Sequence, residues 1–382
     1  MKISYDLRFA HLPGGSWPYV SQLIWILVRD HPETQWRIYH NPWSAPQQEI
    51  IKHLEQEHPS QAGTAGIDYR PMHCGCLSIR HHIEFLGVRD DACVYHYPHF
   101  DSPLGMRRIP LVVTIHDLYP LVLPGYCSPA KRAYFKFVTR QNARRARRII
   151  TISQNTKKDI VEHLKIPPEK IVVISQGHSR EFCPVRDDQL LRRTGEKYHL
   201  PKKFMLYTGN HKPHKNLGRL LQALAELPDS LRKNFPLILT GPITTDTEKL
   251  LAQANKLKIE NQVRFLCSVG NEDLPHLYNL ATLVVHPSLY EGFGLAPLEA
   301  MACGTPAVCS NASAIPEVAG QVCRLFDPYS VEDIAATITA ALENDIDNPE
   351  KRQECLTHAA NFTWEKCAHQ TYKVYQAIVR DR

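Results

Sequence analysis

The sequence predicts two doubly wound α/β domains in one chain. Three observations carry this expectation. At 382 residues the chain is too long for one ordinary core and suits two domains. Short apolar, β-branched runs alternate with segments of helical period in both halves, the pattern of a parallel sheet covered by helices. Several of those runs end in loops that carry glycine, histidine or carboxylate, the chemistry that open α/β sheets present at the C-terminal ends of their strands.

In the first half, residues 3–6 read as a strand and 18–28 as a helix, joined through Gly14-Gly15-Ser16. Such a turn either offers backbone N–H groups to a phosphate or an acceptor, or is simply tight. Residues 36–40 read as the second strand, and 41–66 are polar, proline-bearing and partly helical. Residues 92–97 form the next apolar run, with His96, Pro98, His99 and Asp101 gathered at its end. The run 111–115 is a cleaner strand and stops at His116-Asp117. Both runs bring polar groups to one sheet edge; a strand-end His with a capping Asp has the same sequence appearance. A strand at 149–153, a helix at 154–164 and a strand at 171–175 continue the alternation, and the linker is expected between 177 and 198.

A helix is expected over 129–146, and its charge is distinctive. Lys136, Arg140 and Arg144 recur every four residues and so share a face. Lys131, Arg132, Arg145, Arg147 and Arg148 extend the basic segment over 131–148. The run is either a solvated face or an attraction for an anionic membrane surface or lipid-pyrophosphate acceptor.

In the second half, the run 204–208 leads into Gly209-Asn210-His211-Lys212-Pro213-His214-Lys215-Asn216, then a helix with Leu217, Leu220, Leu221 and Leu224 at helical spacing. Strand, glycine turn and Lys at a helix start make an anion-binding arrangement, unless Lys215 is an ordinary surface lysine. Strands are expected at 237–240 and 263–266. Residues 283–285 form another buried run, stopping at His286-Pro287. Beyond it the loop carries Glu291 and Gly292-Phe293-Gly294. Pro297 is expected to open a helix, with Glu299 in its first turn, and 306–309 to form the next strand. The glycines allow close backbone approach, the helix start suits a diphosphate, and each carboxylate can accept two hydroxyls of a ribose or hexose. A plain turn and a dipole-complementing Glu299 are the alternatives. Helices at 331–343, 349–360 and 364–379 end the chain.

Composition narrows the class. A hydrophobic fraction of 43% and a charged fraction of 22% are those of a globular protein. No apolar run approaches the ~20 residues of a membrane span, and the N-terminal stretch lacks a signal-peptide core, so a cytoplasmic protein is expected. Eleven cysteines without regular spacing argue against a disulfide framework. His73-Cys74-Gly75-Cys76, with His81 and His82, lacks the second cysteine pair of a zinc site and reads as loop. Asn311-Ala312-Ser313 and Asn361-Phe362-Thr363 match the glycosylation pattern, which means little without a secretion signal. The net charge of +6 is mild, and no nucleic-acid motif accompanies the basic segment.

The string from His286 to Glu299 (H-P-S, E-G-F-G, then a second Glu after seven intervening residues) resembles the signature of the family 4 retaining glycosyltransferases. The continuations CGTPAVCS and IPEVAG are similar to that family as well. The resemblance covers most of the chain and is specific mainly at 204–216 and 283–320. It implies the GT-B fold, two Rossmann-like domains facing across a cleft that holds a nucleoside-diphosphate sugar. Residues 1–183 would form the acceptor-side domain, 184–363 the nucleotide-sugar domain, and the terminal helix 364–382 would pack back onto the first. The resemblance further implies that Gly14, Gly15 and Ser16 lie over the donor diphosphate and that His116 points toward the donor sugar, with Asp117 orienting it. His99 and Asp101 are weaker candidates for acceptor contact. The 209–216 segment resembles the family's phosphate grip but departs from it, with Asn210 where Arg is common. Lys215 therefore carries most of the phosphate expectation, together with Gly209, and Asn210 would contribute a hydrogen-bond donor to the nucleotide-sugar. The nucleobase is expected against the loop 267–269, including Val269. Gly292, Phe293, Gly294 and Leu295 would contact the donor, Glu291 its sugar hydroxyls and Glu299 its ribose.

The implied reaction is retaining transfer of a hexose to a glycan or lipid-linked saccharide in polysaccharide biosynthesis. UDP-glucose is slightly favoured as donor, with GDP-mannose next. No D-x-D string is present, so an essential divalent metal is not expected, and no cofactor is. A nucleotide-sugar epimerase or hydrolase on the same scaffold, and a basic-surface binding module, are the alternatives.

Overall fold

The computed structural model describes residues 1–10, 16–57, 66–73, 79–88, 90–106, 108–267, 269–346 and 348–381. The chain divides into two compact units, Met1–Gly177 with Thr363–Arg382, and His178–Phe362.

The first unit is built on a parallel sheet of β1 (Lys2–Asp6), β2 (Gln35–His40), β3 (Ile67–Pro71), β4 (Val94–Tyr97), β5 (Leu111–Ile115), β6 (Arg148–Thr151) and β7 (Ile171–Val173). Its order is β3-β2-β1-β4-β5-β6-β7. The crossovers are α1 (Ser16–Asp30), α2 (Ala45–Glu57), α3 (Ile79–Ile83), α4 (Tyr119–Val122), α5 (Pro129–Arg145) and α6 (Gln154–Leu164). All five residues of β5 are buried, as a strand covered on both faces requires. The order reverses between β1 and β4, so loops leaving those strands diverge and open a crevice at the C-terminal edge. Under β1 lies a fully buried ion pair, Arg8 to Asp6 at 2.7 Å. The Tyr95 hydroxyl donates to the same carboxylate (2.5 Å), and the Arg8 guanidinium covers the Phe85 ring at 4.5 Å. These partners offset the desolvation that an isolated buried pair would suffer.

The second unit holds β8 (Met205–Thr208), β9 (Leu237–Thr240), β10 (Val263–Leu266), β11 (Leu283–His286), β12 (Ala307–Ser310) and β13 (Arg324–Phe326). All pair in parallel, in the order β10-β9-β8-β11-β12-β13. Its helices are α7 (Asp188–Lys197), α8 (Leu217–Glu226), α9 (Asp229–Asn234), α10 (Thr245–Lys256), α11 (Leu274–Leu280), α12 (Leu295–Ala302), α13 (Ile315–Ala319), α14 (Val331–Asn344) and α15 (Pro349–Ala359). Leu217, Leu220, Leu221 and Leu224 face inward from α8 against Leu237, Val285 and Ile338, forming one core. Here the reversal falls between β8 and β11.

The last helix, α16 (Trp364–Arg380), belongs to the first unit and packs along α1. A Cβ at Gly177 would collide with the Thr363 and Trp364 backbone, so this segment passes the start of α16 closely only as glycine. Tyr375 of α16 hydrogen-bonds His96 Nδ1 (2.5 Å), His96 Nε2 meets Thr114 Oγ1 (2.9 Å), and Thr114 meets the Tyr19 hydroxyl (3.1 Å).

Several local expectations need correction. The 177–198 stretch is not a bare linker, since it contains α7, whose start is capped by Asp187 on the Gln189 and Leu190 N–H groups. β3 and β13 are edge strands with exposed polar positions, which hid their pattern. Within α5, Lys136 and Arg144 are exposed but Arg140 is half-buried, while Tyr134 and Phe137 are exposed beside them. Cys74 and Cys76 lie outside the described residues, and the nine described cysteines are free thiols. Among the described residues no helix is long and apolar enough to cross a membrane.

Candidate active site

The second unit gathers its polar groups where the sheet reverses. β8 ends at Thr208 and continues into Gly209, whose φ of +137° suits glycine alone. A short turn, Pro213–Lys215, leads to Asn216 at φ +62°. The buried Asn216 amide donates to the Pro287 and Pro328 carbonyls (3.1 and 2.7 Å), and the Leu289 N–H donates to the His214 carbonyl (2.9 Å). These bonds lash the loop after β8 to the loop after β11. Lys215 is thereby aimed at Glu291, with Nζ 2.6 Å from Oε1.

His286, the last residue of β11, approaches the same oxygen with Nε2 at 3.1 Å. Since a carboxylate only accepts, Nε2 carries the proton. Ser313 holds the backbone of Glu291 from the other side, accepting its N–H (2.8 Å) and donating to its carbonyl (3.0 Å). Burial by itself would raise the Glu291 carboxyl, but the Lys215 ammonium and the His286 hydrogen bond overcome it. The group is held well below the ordinary carboxylate range.

Gly292 is half-buried and Phe293 buried, its ring 5.9 Å from Phe362. Gly294 sits at φ +118° and ends the loop, so α12 begins at Leu295 and not at Pro297. Pro297 is the third helical residue, where its missing N–H costs nothing. Glu299 is accordingly the fifth residue, beyond the first turn, which corrects its expected position. Its Oε2 accepts the Tyr278 hydroxyl (2.9 Å), and that hydroxyl also meets Thr208 Oγ1 (2.6 Å). Burial pushes the Glu299 carboxyl up to about 7, against the opposing pull of Tyr278.

Asn210 is bound by its own loop, its carbonyl accepting the Tyr207 hydroxyl (2.8 Å) and its Oδ1 the Lys212 N–H (3.3 Å). Val269 follows β10, two strands from β8 along the sheet, and is half-buried. Next to it the Gly270 N–H donates to the Tyr198 hydroxyl (3.4 Å), itself bound to Asp273 (2.7 Å).

In the first unit, His116 leaves the end of β5. Its Nε2 donates to the Pro98 carbonyl (2.9 Å), and its ring stands edge-on to Tyr19 at 4.7 Å. Burial, then the nearby His99, lowers its pKa to about 4, so it is neutral at pH 7. Asp117 accepts the Tyr119 N–H (3.1 Å) at the start of α4, a turn-forming contact. His99 Nδ1 pairs with Asp101 Oδ1 at 2.5 Å, and the His99 ring centroid is 6.3 Å from that of His116. Asp101 is fully buried, and its carbonyl meets His81 Nε2 (2.8 Å). Gly14 and Gly15 lie outside the described residues; Ser16 opens α1.

Lys215 and Glu291 thus come together, His116 and His99 are neighbours, and Glu299 stands with Tyr278 and Thr208. Sequence reasoning assigned no role to His286, Ser313, Asn216 or Tyr278. Ser313 was legible only as part of a glycosylation pattern, because contacts across 22 positions leave no local signal. Among the described residues no group of three or more His, Cys, Asp or Glu could hold a metal ion.

Residues 192–362 match the family described as Glycosyl transferases group 1, and 78–182 match Glycosyltransferase Family 4. The O-antigen chain mannosyltransferase B of Escherichia coli is 34% identical over 286 residues, 75% of this chain and 74% of that protein. The serotype-specific mannosyltransferase WbdA of Escherichia coli is 32% identical over 262 residues, 68% of this chain but 32% of that longer protein. Among solved structures, sucrose-phosphate synthase of Thermosynechococcus elongatus superposes with a TM-score of 0.78 at 18% identity, covering all of both chains. The Lys215–Glu291 cluster falls within the first family match and His116 within the second. Sheet order, site and relatives agree: the chain belongs to the family 4 retaining glycosyltransferases and is an enzyme with the GT-B fold.

Proposed function

We propose that the enzyme transfers mannose from GDP-mannose, with retention, to a glycan or lipid-linked saccharide during synthesis of a polysaccharide. The sequence alone leaned to UDP-glucose without a residue-level reason. The mannosyltransferase relatives, one matching three quarters of the chain, reverse that order. The observation that carries the reading is the Lys215–Glu291–His286 cluster at the sheet reversal. An ammonium balanced by a carboxylate is ready to exchange partners when a diphosphate arrives.

In this mechanism Lys215 turns to the donor phosphates, and backbone N–H groups of the glycine loop and the α12 start stabilise charge on the leaving diphosphate. His286 continues to hold Glu291 Oε1, leaving the carboxylate to accept hydroxyls of the sugar. Departure of the diphosphate gives the anomeric carbon oxocarbenium character. The acceptor attacks from the same face, and the leaving phosphate takes its proton. His116, neutral, stands nearest the reacting centre with Asp117 orienting it; Glu299 accepts from the ribose; Val269 lies against the base. His99, braced by the buried Asp101, meets the acceptor.

The exposed Lys131, Tyr134, Lys136, Phe137 and Arg144 of α5 supply charge and aromatic surface for an anionic membrane holding a lipid-linked acceptor. Sedimentation with phosphatidylglycerol vesicles tests this, with binding lost at high salt expected; no binding at low salt removes it. Calorimetry with GDP-mannose and UDP-glucose, each with and without magnesium, tests the donor. Metal-independent binding of GDP-mannose with release of GDP on addition of a mannose-terminated acceptor is expected. Turnover of UDP-glucose alone would overturn the assignment.

A further inference from the structure

We propose that Tyr278 is a positioning residue whose hydroxyl, held between Thr208 and Glu299, keeps the Glu299 carboxylate oriented to accept from the donor ribose. The inference rests on the proposed role of Glu299 in donor binding and adds a residue that touches no ligand itself.

Tyr278 lies on α11, away from both signature loops in sequence, and its side chain is fully buried. Its hydroxyl donates to Glu299 Oε2 at 2.9 Å and lies 2.6 Å from Thr208 Oγ1. A phenol has one proton, so donation to Glu299 requires Thr208 to donate to the phenolic oxygen. The chain of donation therefore runs from Thr208 to Tyr278 to Glu299. A protonated Glu299 has one proton and a weaker acceptor oxygen, so it would either reverse the relay toward Tyr278 or present an O–H to the ribose in place of a carboxylate oxygen. Thr208 immediately precedes Gly209, so the same hydroxyl ties the end of β8 to α12. The phenol ring is itself fixed, with Phe182 edge-on at 5.6 Å and the Tyr278 carbonyl accepting the Thr305 hydroxyl at 2.6 Å.

The groups facing the Glu299 carboxyl are the Tyr278 hydroxyl from α11 and the thiol of Cys303, the residue just past the end of α12. Arg352 of α15 stands past Cys303, against Gly304, and His286 at the end of β11 is turned to Glu291. Burial already raises this carboxyl to about 7, and Tyr278 opposes that rise. Removing the hydroxyl leaves more of Glu299 protonated at neutral pH, and raising the pH restores the carboxylate.

The test is calorimetric binding of GDP-mannose to the wild-type enzyme and to Tyr278→Phe, Thr208→Val, Glu299→Gln and Glu299→Ala, at pH 6.5, 7.5 and 8.5. Tyr278→Phe is expected to raise Kd about tenfold at pH 6.5 and much less at pH 8.5. Glu299→Gln should be weak at every pH, and Thr208→Val should follow Tyr278→Phe with about a threefold effect. Wild-type Kd and pH profile in Tyr278→Phe, with Glu299→Ala impaired, would overturn the relay. Unimpaired binding by Glu299→Ala would instead overturn the donor-site reading beneath it. Should Tyr278→Phe fail to fold, judged by circular dichroism, the pH profile of Thr208→Val decides the same question.

Discussion

At the ends of β8 and β11, an ammonium and an imidazole N–H converge on one oxygen of Glu291. At the ends of β4 and β5, by contrast, imidazoles sit among rings, hydroxyls and carbonyls: His96 between Thr114 and Tyr375, His116 between Pro98 and Tyr19. Both edges come from parallel sheets with one reversal of strand order, so topology alone does not separate them. What separates them is the treatment of charge. Beside β8 and β11 the Glu291 carboxylate is kept ionised by pairing, whereas at the ends of β4 and β5 His96 and His116 are kept neutral by burial. In the proposed mechanism the paired carboxylate receives the sugar hydroxyls of the donor once Lys215 turns to its phosphates, and a neutral imidazole stands beside developing positive charge on the ring.

Removing the paired carboxylate should have the largest effect. Glu291→Ala is expected to lower kcat about 10³-fold with the fold intact, since Lys215 is exposed enough to hydrate. A loss under tenfold, read in a GDP-release assay, would break the contrast at its strongest point. His116→Ala should cost about 10²-fold in kcat with little change in donor Kd, because the neutral ring is assigned to the reacting centre. A change confined to donor Kd would move His116 out of that role.

The neutral histidines make a stability prediction of definite sign. His81, His96 and His116 in the first unit have pKa values lowered by burial to about 4, 3 and 4, against ~6.5 in an unfolded chain. Between those values the unfolded chain binds protons that the folded unit refuses. Stability is therefore full above about pH 6.5 and falls as the pH drops toward 4. In the second unit His214 shares this behaviour, lowered by burial to about 4. Acid unfolding followed by hydrogen exchange should thus open the first unit before the second. Simultaneous opening of both would show that the histidines do not set the order.

Lys215→Met sharpens the comparison from the other side. With the ammonium gone, burial acts on Glu291 against His286 alone, so its carboxyl should rise. Donor Kd should weaken by ten- to a hundredfold, and activity should fall at the acid end of its profile first. An unchanged acid limb would mean that Lys215 does not set the Glu291 charge. The smallest effect is expected for Ser313→Ala, a few-fold in kcat, because Glu291 keeps both side-chain partners and loses one backbone brace. A loss as large as that of Glu291→Ala would place Ser313 in the chemistry.

Much of the frame was legible from residue order. The apolar runs at 237–239 and 283–285 could hardly be anything but buried strands, and the helix 154–164 follows a serine that caps it. Less legible were β3 and β13, edge strands that bury few side chains, and α7, whose polar sequence reads as linker until it docks on α11. Within the site, Lys215, Glu291 and His116 announced themselves by strand-end position beside glycine or histidine. The start of α12 did not, because a glycine at φ +118° let the helix begin before its proline.

The sequence by itself determined the two-domain α/β class, the sheet edges that carry chemistry and the glycosyltransferase family, since periodicity and a contiguous signature are local properties. Only the tertiary structure decided which groups share an oxygen or a proton. Lys215 meets Glu291 across 76 positions and Tyr278 meets Glu299 across 21, because parallel strands deliver distant loops to one edge. The charge of each carboxylate follows from that meeting. Glu291 and Glu299 are the same residue type on one short stretch of chain, yet the Lys215 ammonium lowers one, and burial raises the other against the pull of a single phenol.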